Sequence, residues 1–365
     1  MQRHGLPELH HELSRRDFLR GAAGAGLAGA GVVLLGGCGS DEGNGSLTST
    51  PEAVAHPPPE TTTIRLPKEI IFVPWTAPLR LAEQFLPAEG FTNVQYIAVP
   101  VEISDIRHLA AGEIDIGVPD AASVTVAADR GDPLVVLAGV HNSPFVLFGN
   151  ERVQSLRDLK GKRIWVLKRD ATDRTYALMA ALLAYVGIDV QREVEFVELS
   201  PAEGATQQMA GTIDAWLAVR PYSTALRNAN IGHVILDGAM DPPWAHYFFA
   251  MATGNRSFVE KHPVAAKRAL RAILKAADVC AQEPERAARY LVDQGLTPLT
   301  YDQTLAAITG VSFAAWREFN PEDTMRFYAL RLKEAGLVTS TPDELIARAT
   351  DWRYLDEIKR ELGVA

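Results

Sequence analysis

The chain predicts an α/β fold of two lobes finished by a helical tail. Two observations carry that reading. Short β-rich runs alternate with helical stretches from about residue 63 to residue 236, the pattern of mostly parallel sheets with helices on both faces. After residue 257 the apolar spacing turns helical, with Leu270, Ile273, Leu274 and Ala277, then Met325, Tyr328, Ala329 and Leu332, each set on one face of a 3.6-residue period. There is no repeat at a fixed period of the kind stacked arrays show.

The elements follow in order. Glu69–Val73 (EIIFV) is an apolar run of strand length, and Pro78–Ala88 reads as a helix. Gln95–Val99 is a strand, and Ser104 is a candidate cap for the helix running to Ala111. Asp115–Val118, Leu134–Val140 and Pro144–Phe148 read as strands around a helix at Ala121–Asp129. Arg163–Leu167 (RIWVL) is a strand, followed by a helix at Arg174–Val186 that Gly187 ends. Val194–Val197, Ala215–Leu217 and His233–Leu236 are strands, with a helix at Ala202–Ala210.

The first 62 residues read differently. Ser14-Arg15-Arg16-Asp17-Phe18-Leu19 resembles a twin-arginine export signal, which carries folded proteins. An uncharged Gly/Ala-rich stretch, Gly21 to Gly37, suits a signal core and is short for a spanning helix. Leu35-Gly36-Gly37-Cys38 resembles the lipobox of bacterial lipoproteins, which makes Cys38 the expected lipid-bearing first mature residue. Acyl chains on that thiol would hold the protein to a membrane by burying methylenes. Gly24-Ala25-Gly26-Leu27-Ala28-Gly29 matches a dinucleotide-binding pattern, but no strand precedes it and no βαβ unit follows. Residues 38–62, rich in Gly, Ser, Thr and Pro, read as a tether.

Composition narrows the function. The formal net charge is −9, and the absence of a basic run argues against nucleic acid as a partner. Two cysteines, Cys38 and Cys280, make no disulfide framework. Histidines are scattered without metal-ligand spacing, and neither a nucleophile elbow nor a P-loop occurs. No cofactor or metal is expected.

Two stretches carry a family resemblance. The first runs Asp105-Ile106-Arg107-His108-Leu109-Ala110-Ala111-Gly112-Glu113-Ile114-Asp115-Ile116-Gly117 and continues to Gly131-Asp132-Pro133. The second begins Ser155-Leu156-Arg157-Asp158-Leu159-Lys160-Gly161-Lys162-Arg163 and resumes at Gly211-Thr212-Ile213-Asp214-Ala215-Trp216. They resemble the signatures of nitrate/sulfonate/taurine-type substrate-binding proteins of ABC importers, a group related to binding proteins for thiamine pyrimidine precursors. The resemblance implies a type II periplasmic binding protein fold: two lobes, two crossover strands and C-terminal helices, with ligand in the cleft between. It places lobe 1 at residues 63–145 and 245–365 and lobe 2 at 146–244. It also implies a monomer outside the cytoplasm, with an ABC permease and its ATPase as partners. Gly112, Asp115 and Lys160-Gly161-Lys162 make sense as turn and strand-edge residues alone, without chemistry.

Ligands of open α/β sheets bind beyond the carboxyl ends of strands, so the loops there hold the candidates. Trp75 is suited to stacking on a planar ligand and Thr76 to hydrogen bonding, and Trp75 equally suits packing at a helix start. Asp120 and Ser123 open a helix whose N-terminus suits an anion, although Asp120 would repel one unless it only caps. Arg169 offers a forked donor to a carboxylate or sulfonate. Asp170 and Thr172 share its loop, which is more highly charged than the resembled family's. Trp216 and Arg220 follow the next strand, and Trp244 and His246 precede the second crossing, as ligand wall or as interlobe packing.

Three functions compete. The leading one is an import receptor for a small organic anion or planar heterocycle. A second is an enzyme on the same fold resembling hydroxymethylpyrimidine phosphate synthase, whose cysteine-rich motif this chain lacks. The third is a ligand sensor docking to another membrane partner.

Overall fold

The computed structural model describes residues 57–69, 74–99, 105–219, 222–228 and 230–364. The readings of Arg15, Arg16, Cys38 and most of the tether lie outside them, as do the Ser104 cap and Ile70–Val73.

Among the described residues, ten strands form three sheets. Strands β1 (Thr63–Glu69) and β2 (Asn93–Val99) pair in parallel along their whole length. Strands β3 (Ile116–Gly117) and β4 (Leu134–Asn142) flank β10 (Phe248–Asn255) in the order β3-β10-β4, both pairs antiparallel. The third sheet holds β5 (Phe145–Gly149), β6 (Arg163–Val166), β7 (Glu195–Glu198), β8 (Ala215–Val219) and β9 (His233–Asp237) in the order β7-β6-β8-β5-β9.

The α/β class is as expected, with mixed sheets in place of mostly parallel ones. β6 pairs in parallel with β7 and β8, whereas β5 runs antiparallel to β8 and β9. The antiparallel pairs all involve β5 or β10, the strands by which the chain passes between sheets. The chain leaves the second sheet at Asn142, enters the third at Phe145, and returns from Asp237 to Phe248. A strand arriving from another sheet is free of the helical crossover that parallel neighbours require. These are the two crossings that the resemblance implies.

Burial explains the central strands. Every residue of β4 and β10 is buried, which fits near-continuous apolar runs covered on both faces. Gly139 in β4 lies under the Phe248 ring, where a Cβ would meet ring carbon at 2.3 Å. Strand β1 begins six residues earlier than the EIIFV run suggests, with Ile64 and Leu66 fully buried. The expected helix at Pro78–Ala88 is a short α-helix, α1 (Ala77–Leu81), between 3-10 turns at Pro74–Thr76 and Ala82–Gln84.

The two motif aspartates do the same structural work. Asp115 accepts from the Arg65 backbone N–H at 2.7 Å and pairs with the Arg65 guanidinium, which also donates to the Gly112 carbonyl. Asp214 accepts from the Arg163 backbone N–H at 2.9 Å and pairs with Arg152 at 2.6 Å, which donates to the Gly211 carbonyl. Gly112 and Gly211 precede them at positive φ, 71° and 67°, which favours glycine. Each motif therefore locks a helix-to-strand turn to a neighbouring strand.

Helices α2 (Asp105–Ala110), α3 (Ala121–Arg130), α4 (Arg174–Tyr185), α5 (Pro201–Met209) and α6 (Tyr222–Asn228) connect the strands. The tail holds α7 (Arg256–Lys261), α8 (Pro263–Gln282), α9 (Pro284–Asp293), α10 (Tyr301–Thr309), α11 (Ala315–Glu318), α12 (Pro321–Glu334), α13 (Pro342–Ala349) and α14 (Arg353–Glu361). Buried Arg271 of α8 clamps buried Glu89, and also Glu361 of α14. None of the described helices is long and apolar enough to cross a membrane.

Candidate functional site

The site residues gather where the β3–α3 and β6–α4 connections meet. Helix α4, which leaves the third sheet, packs on α3 and α12. Asp120 caps α3, its carboxylate accepting from the Ser123 N–H at 2.9 Å and from Ser123 Oγ at 2.7 Å. Both side chains are buried and engaged with each other. Burial pushes the Asp120 carboxyl above its usual range, opposed by the positive charge of Arg174 and by the Ser123 bonds.

Trp75 is also buried. Its ring meets Phe249 edge-on at 6.1 Å, and the Arg174 guanidinium carbon lies 5.2 Å from the ring centroid. Thr76 is buried at the start of α1. The Trp75 carbonyl also faces His141 Nε2 at 3.1 Å, while His141 Nδ1 faces the Asn142 carbonyl at 2.7 Å. His141 thus ties the end of β4, at the first crossing, to the Trp75 turn. Burial pushes its pKa down to about 4, so the ring is neutral near pH 7.

Arg174 is the residue the sequence reading missed. It is the first residue of α4, directly after the N-cap Asp173, where a cation opposes the helix dipole. That unfavourable placement was the available signal. Among the described residues Arg174 makes no hydrogen bond or ion pair closer than its ring contact with Trp75. Asp173 accepts from the Thr175 and Tyr176 N–H groups, and burial raises its carboxyl pKa. Tyr328 of α12 lies within electrostatic reach of Asp120, and burial drives its hydroxyl pKa up.

The other candidates have different surroundings. Arg169 is exposed, and its guanidinium donates to Gln191 Oε1 at 3.3 Å. Asp170 accepts from the Thr172 N–H at 2.8 Å and hydroxyl at 2.7 Å, and faces Arg107 at 3.3 Å and Arg130 at 3.9 Å. Thr172 is buried by that turn. Trp216 is buried edge-on against Trp165, ring centroids 5.8 Å apart, and its Nε1 has no partner among the described residues. Trp244 is buried in a cluster with Phe145, Tyr185, Phe327 and Tyr328, its Nε1 also unpartnered among the described residues. His246 is exposed, and Arg220 lies outside the described residues. The histidine, cysteine and acidic side chains described form no metal-binding cluster.

Solved structures share this architecture. The alkanesulfonate-binding protein of Xanthomonas axonopodis pv. citri, bound to MOPS, matches with a TM-score of 0.60 and 18% identity, over 80% of this chain and 99% of that one. The periplasmic nitrate-binding protein of Synechocystis PCC 6803 matches with a TM-score of 0.65 and 14% identity, over 84% of this chain and 90% of that one. The periplasmic aliphatic sulphonate binding protein of Escherichia coli matches with a TM-score of 0.58 and 18% identity, over 79% and 92%. No curated protein matches in sequence. The profile of the family described as NMT1/THI5 like matches residues 89–287, more than half of the chain, and the chain belongs to that family.

Proposed function

We propose that this protein is an extracytoplasmic solute receptor that binds one small organic molecule between two lobes and delivers it to an ABC permease. The observation that supports the reading is the contact of Arg174, which follows β6, with Trp75, which follows β1, with Asp120 within electrostatic reach of the same arginine. Binding there would draw on both lobes, and closure around a ligand is how hinged receptors report occupancy. The sulfonate- and nitrate-binding proteins that share the fold support the solute class: a sulfonate, a carboxylate, a nitrate-like anion or a planar heterocycle. The Arg15-Arg16 pair and the Leu35–Cys38 box support export in the folded state and a lipid anchor at Cys38.

Trp75, Thr76, Asp120, Ser123, Arg169, Asp170, Thr172, Trp216, Arg220, Trp244 and His246 remain the proposed lining. The burial of Trp75 and Asp120 against Arg174 favours that group as its centre. The test is thermal denaturation of the purified protein against sulfonates, carboxylates, nitrate and pyrimidines, because a ligand of the native state raises the midpoint by mass action. X-ray scattering at saturation should show a smaller radius of gyration. No shift with any class would reject the receptor reading. A shift with turnover of the compound would favour the enzyme.

A further inference from the structure

His141 stands between two acceptors and has one proton to give them. The side chain is fully buried, its ring stacked on Phe249 with centroids 6.1 Å apart and edge-on to Phe313 at 5.2 Å. Nδ1 lies 2.7 Å from the Asn142 carbonyl oxygen and Nε2 lies 3.1 Å from that of Trp75. Both are hydrogen-bond distances. A neutral imidazole carries one N–H, so it donates to one carbonyl and turns a lone pair on the other. Burial keeps this ring neutral near pH 7. The two bonds are therefore never complete together, and the carbonyl left out faces another acceptor inside the protein, which costs free energy.

The two carbonyls belong to different parts of the molecule. Trp75 follows β1, and its ring touches Arg174 of α4. Asn142 ends β4 where the chain crosses to β5, and its Oδ1 accepts from the Ser312 N–H at 3.0 Å. The crossing is tightly packed. A Cβ on Gly238, on the return path, would lie 2.6 Å from Ser143 Oγ, and the Gly238 N–H donates to the Phe145 carbonyl at 2.9 Å. A displacement of the Asn142 carbonyl is thus felt where the two crossings touch.

We propose that His141 is a positioning residue that bonds the Trp75 turn and the first crossing alternately, the Nε2–H tautomer holding the turn and the Nδ1–H tautomer holding the crossing. The shorter contact, to Asn142, marks the Nδ1–H form as the one favoured in this structure. Coupling of this kind is reciprocal: what draws the Trp75 carbonyl to the ring releases that of Asn142, and the reverse. The use of the link in sensing a ligand rests on the receptor reading above, whereas the exchange itself is tested without a ligand.

The experiment is nuclear magnetic resonance on the purified protein. Trp75-Thr76 is the chain's one Trp–Thr pair and Asn142-Ser143 its one Asn–Ser pair. Labelling the carbonyl carbon of the first residue and the amide nitrogen of the second therefore gives one signal for each carbonyl, which moves downfield as that carbonyl accepts a hydrogen bond. His141→Asn places an amide where Nδ1 stands, and His141→Gln places one where Nε2 stands. The Gln variant should move the Trp75 signal downfield and the Asn142 signal upfield from wild type, and the Asn variant should do the opposite. A merely structural histidine would move both signals the same way in both variants, and that result, or no movement, overturns the proposal. The side-chain nitrogen spectrum of the wild type at pH 7 needs no variant. It should show a neutral His141 ring with both tautomers populated and Nδ1–H in the majority. A doubly protonated ring or a single tautomer overturns the proposal and leaves the receptor reading to its own thermal and scattering tests.

Discussion

Asp170, in the loop after β6, faces Arg107 of α2 at 3.3 Å, so an exposed ion pair ties the third sheet's connection to the helices of the first two. Arg130, at the end of α3, adds a longer contact at 3.9 Å. Partial desolvation and the bonds from Thr172 act on the same carboxyl, the first raising its pKa and the second lowering it, with a net downward shift. The Asp170 carboxylate is therefore charged near pH 7 and faces two arginines.

Asp170→Asn should loosen this tie without unfolding the protein, because exposed pairs contribute at most about 1 kcal/mol. Salt weakens such pairs. The ligand-free wild type should expand slightly in scattering between low and high salt, and the variant should be expanded at both. Superimposable salt profiles would show that the pair does not hold the two parts together.

His141 should make stability pH-dependent. Its folded pKa of about 4 lies below the ordinary value of 6.5 because burial disfavours the charged ring. Between those values the unfolded chain binds more protons than the folded one, so stability rises with pH across that window. It is fully present above pH 6.5 and falls as pH drops towards 4, by about 3 kcal/mol at the extreme. Urea titrations of wild type and His141→Gln across pH 4–7 check this; equal slopes would mean that other groups carry the dependence.

Gly139→Ala should destabilise by overpacking, at about 1–3 kcal/mol. The added Cβ would meet the Phe248 ring, the chain's anchor on its return to the second sheet. A paired Phe248→Leu change should recover part of the loss in thermal denaturation, and a neutral Gly139→Ala would place the ring elsewhere.

Arg271→Met should destabilise by up to about 3 kcal/mol, since it removes the bidentate partner of buried Glu89 and leaves it Lys275 alone, at 3.0 Å. Glu89→Gln in the same background should restore much of it. Non-additive losses in urea denaturation would confirm the pair, and additive ones would assign the cost to packing.

Cys38→Ala should release the protein from the membrane fraction, and Arg15→Lys with Arg16→Lys should leave precursor in the cytoplasm. Carbonate washing and cell fractionation read both. Retention of the cysteine variant would reject the lipid anchor, and normal export of the arginine variant would reject the twin-arginine signal.

The alternation of strands and helices was legible because it lies in local apolar spacing, and β4, β5 and α3 fall within two residues of where the pattern puts them. Strand β10 was not. Its run Phe248–Asn255 has neither alternation nor a flanking helix pattern, since both of its faces are covered. The site divides the same way. Loops at strand ends were legible from order alone, whereas the partner of each side chain depends on tertiary contact. Arg169 and Arg174 stand five positions apart with the same chemistry. Only the packing of α4 on α3 and α12 sets one against Gln191 and the other against Trp75.

The position of β10 bears on the order of assembly during synthesis. It lies between β3 and β4, which emerge from the ribosome more than a hundred residues earlier. Until Phe248–Asn255 is made, both have bare edges that invite pairing with other chains. The sheet of β5 to β9 comes from one unbroken stretch and needs no later segment. The stretch that ends at Asp237 can therefore collapse first, and the earlier-made strands wait for the last one. A truncation after residue 240 should yield an aggregating nascent chain, and chaperones that shield strand edges would act in that interval.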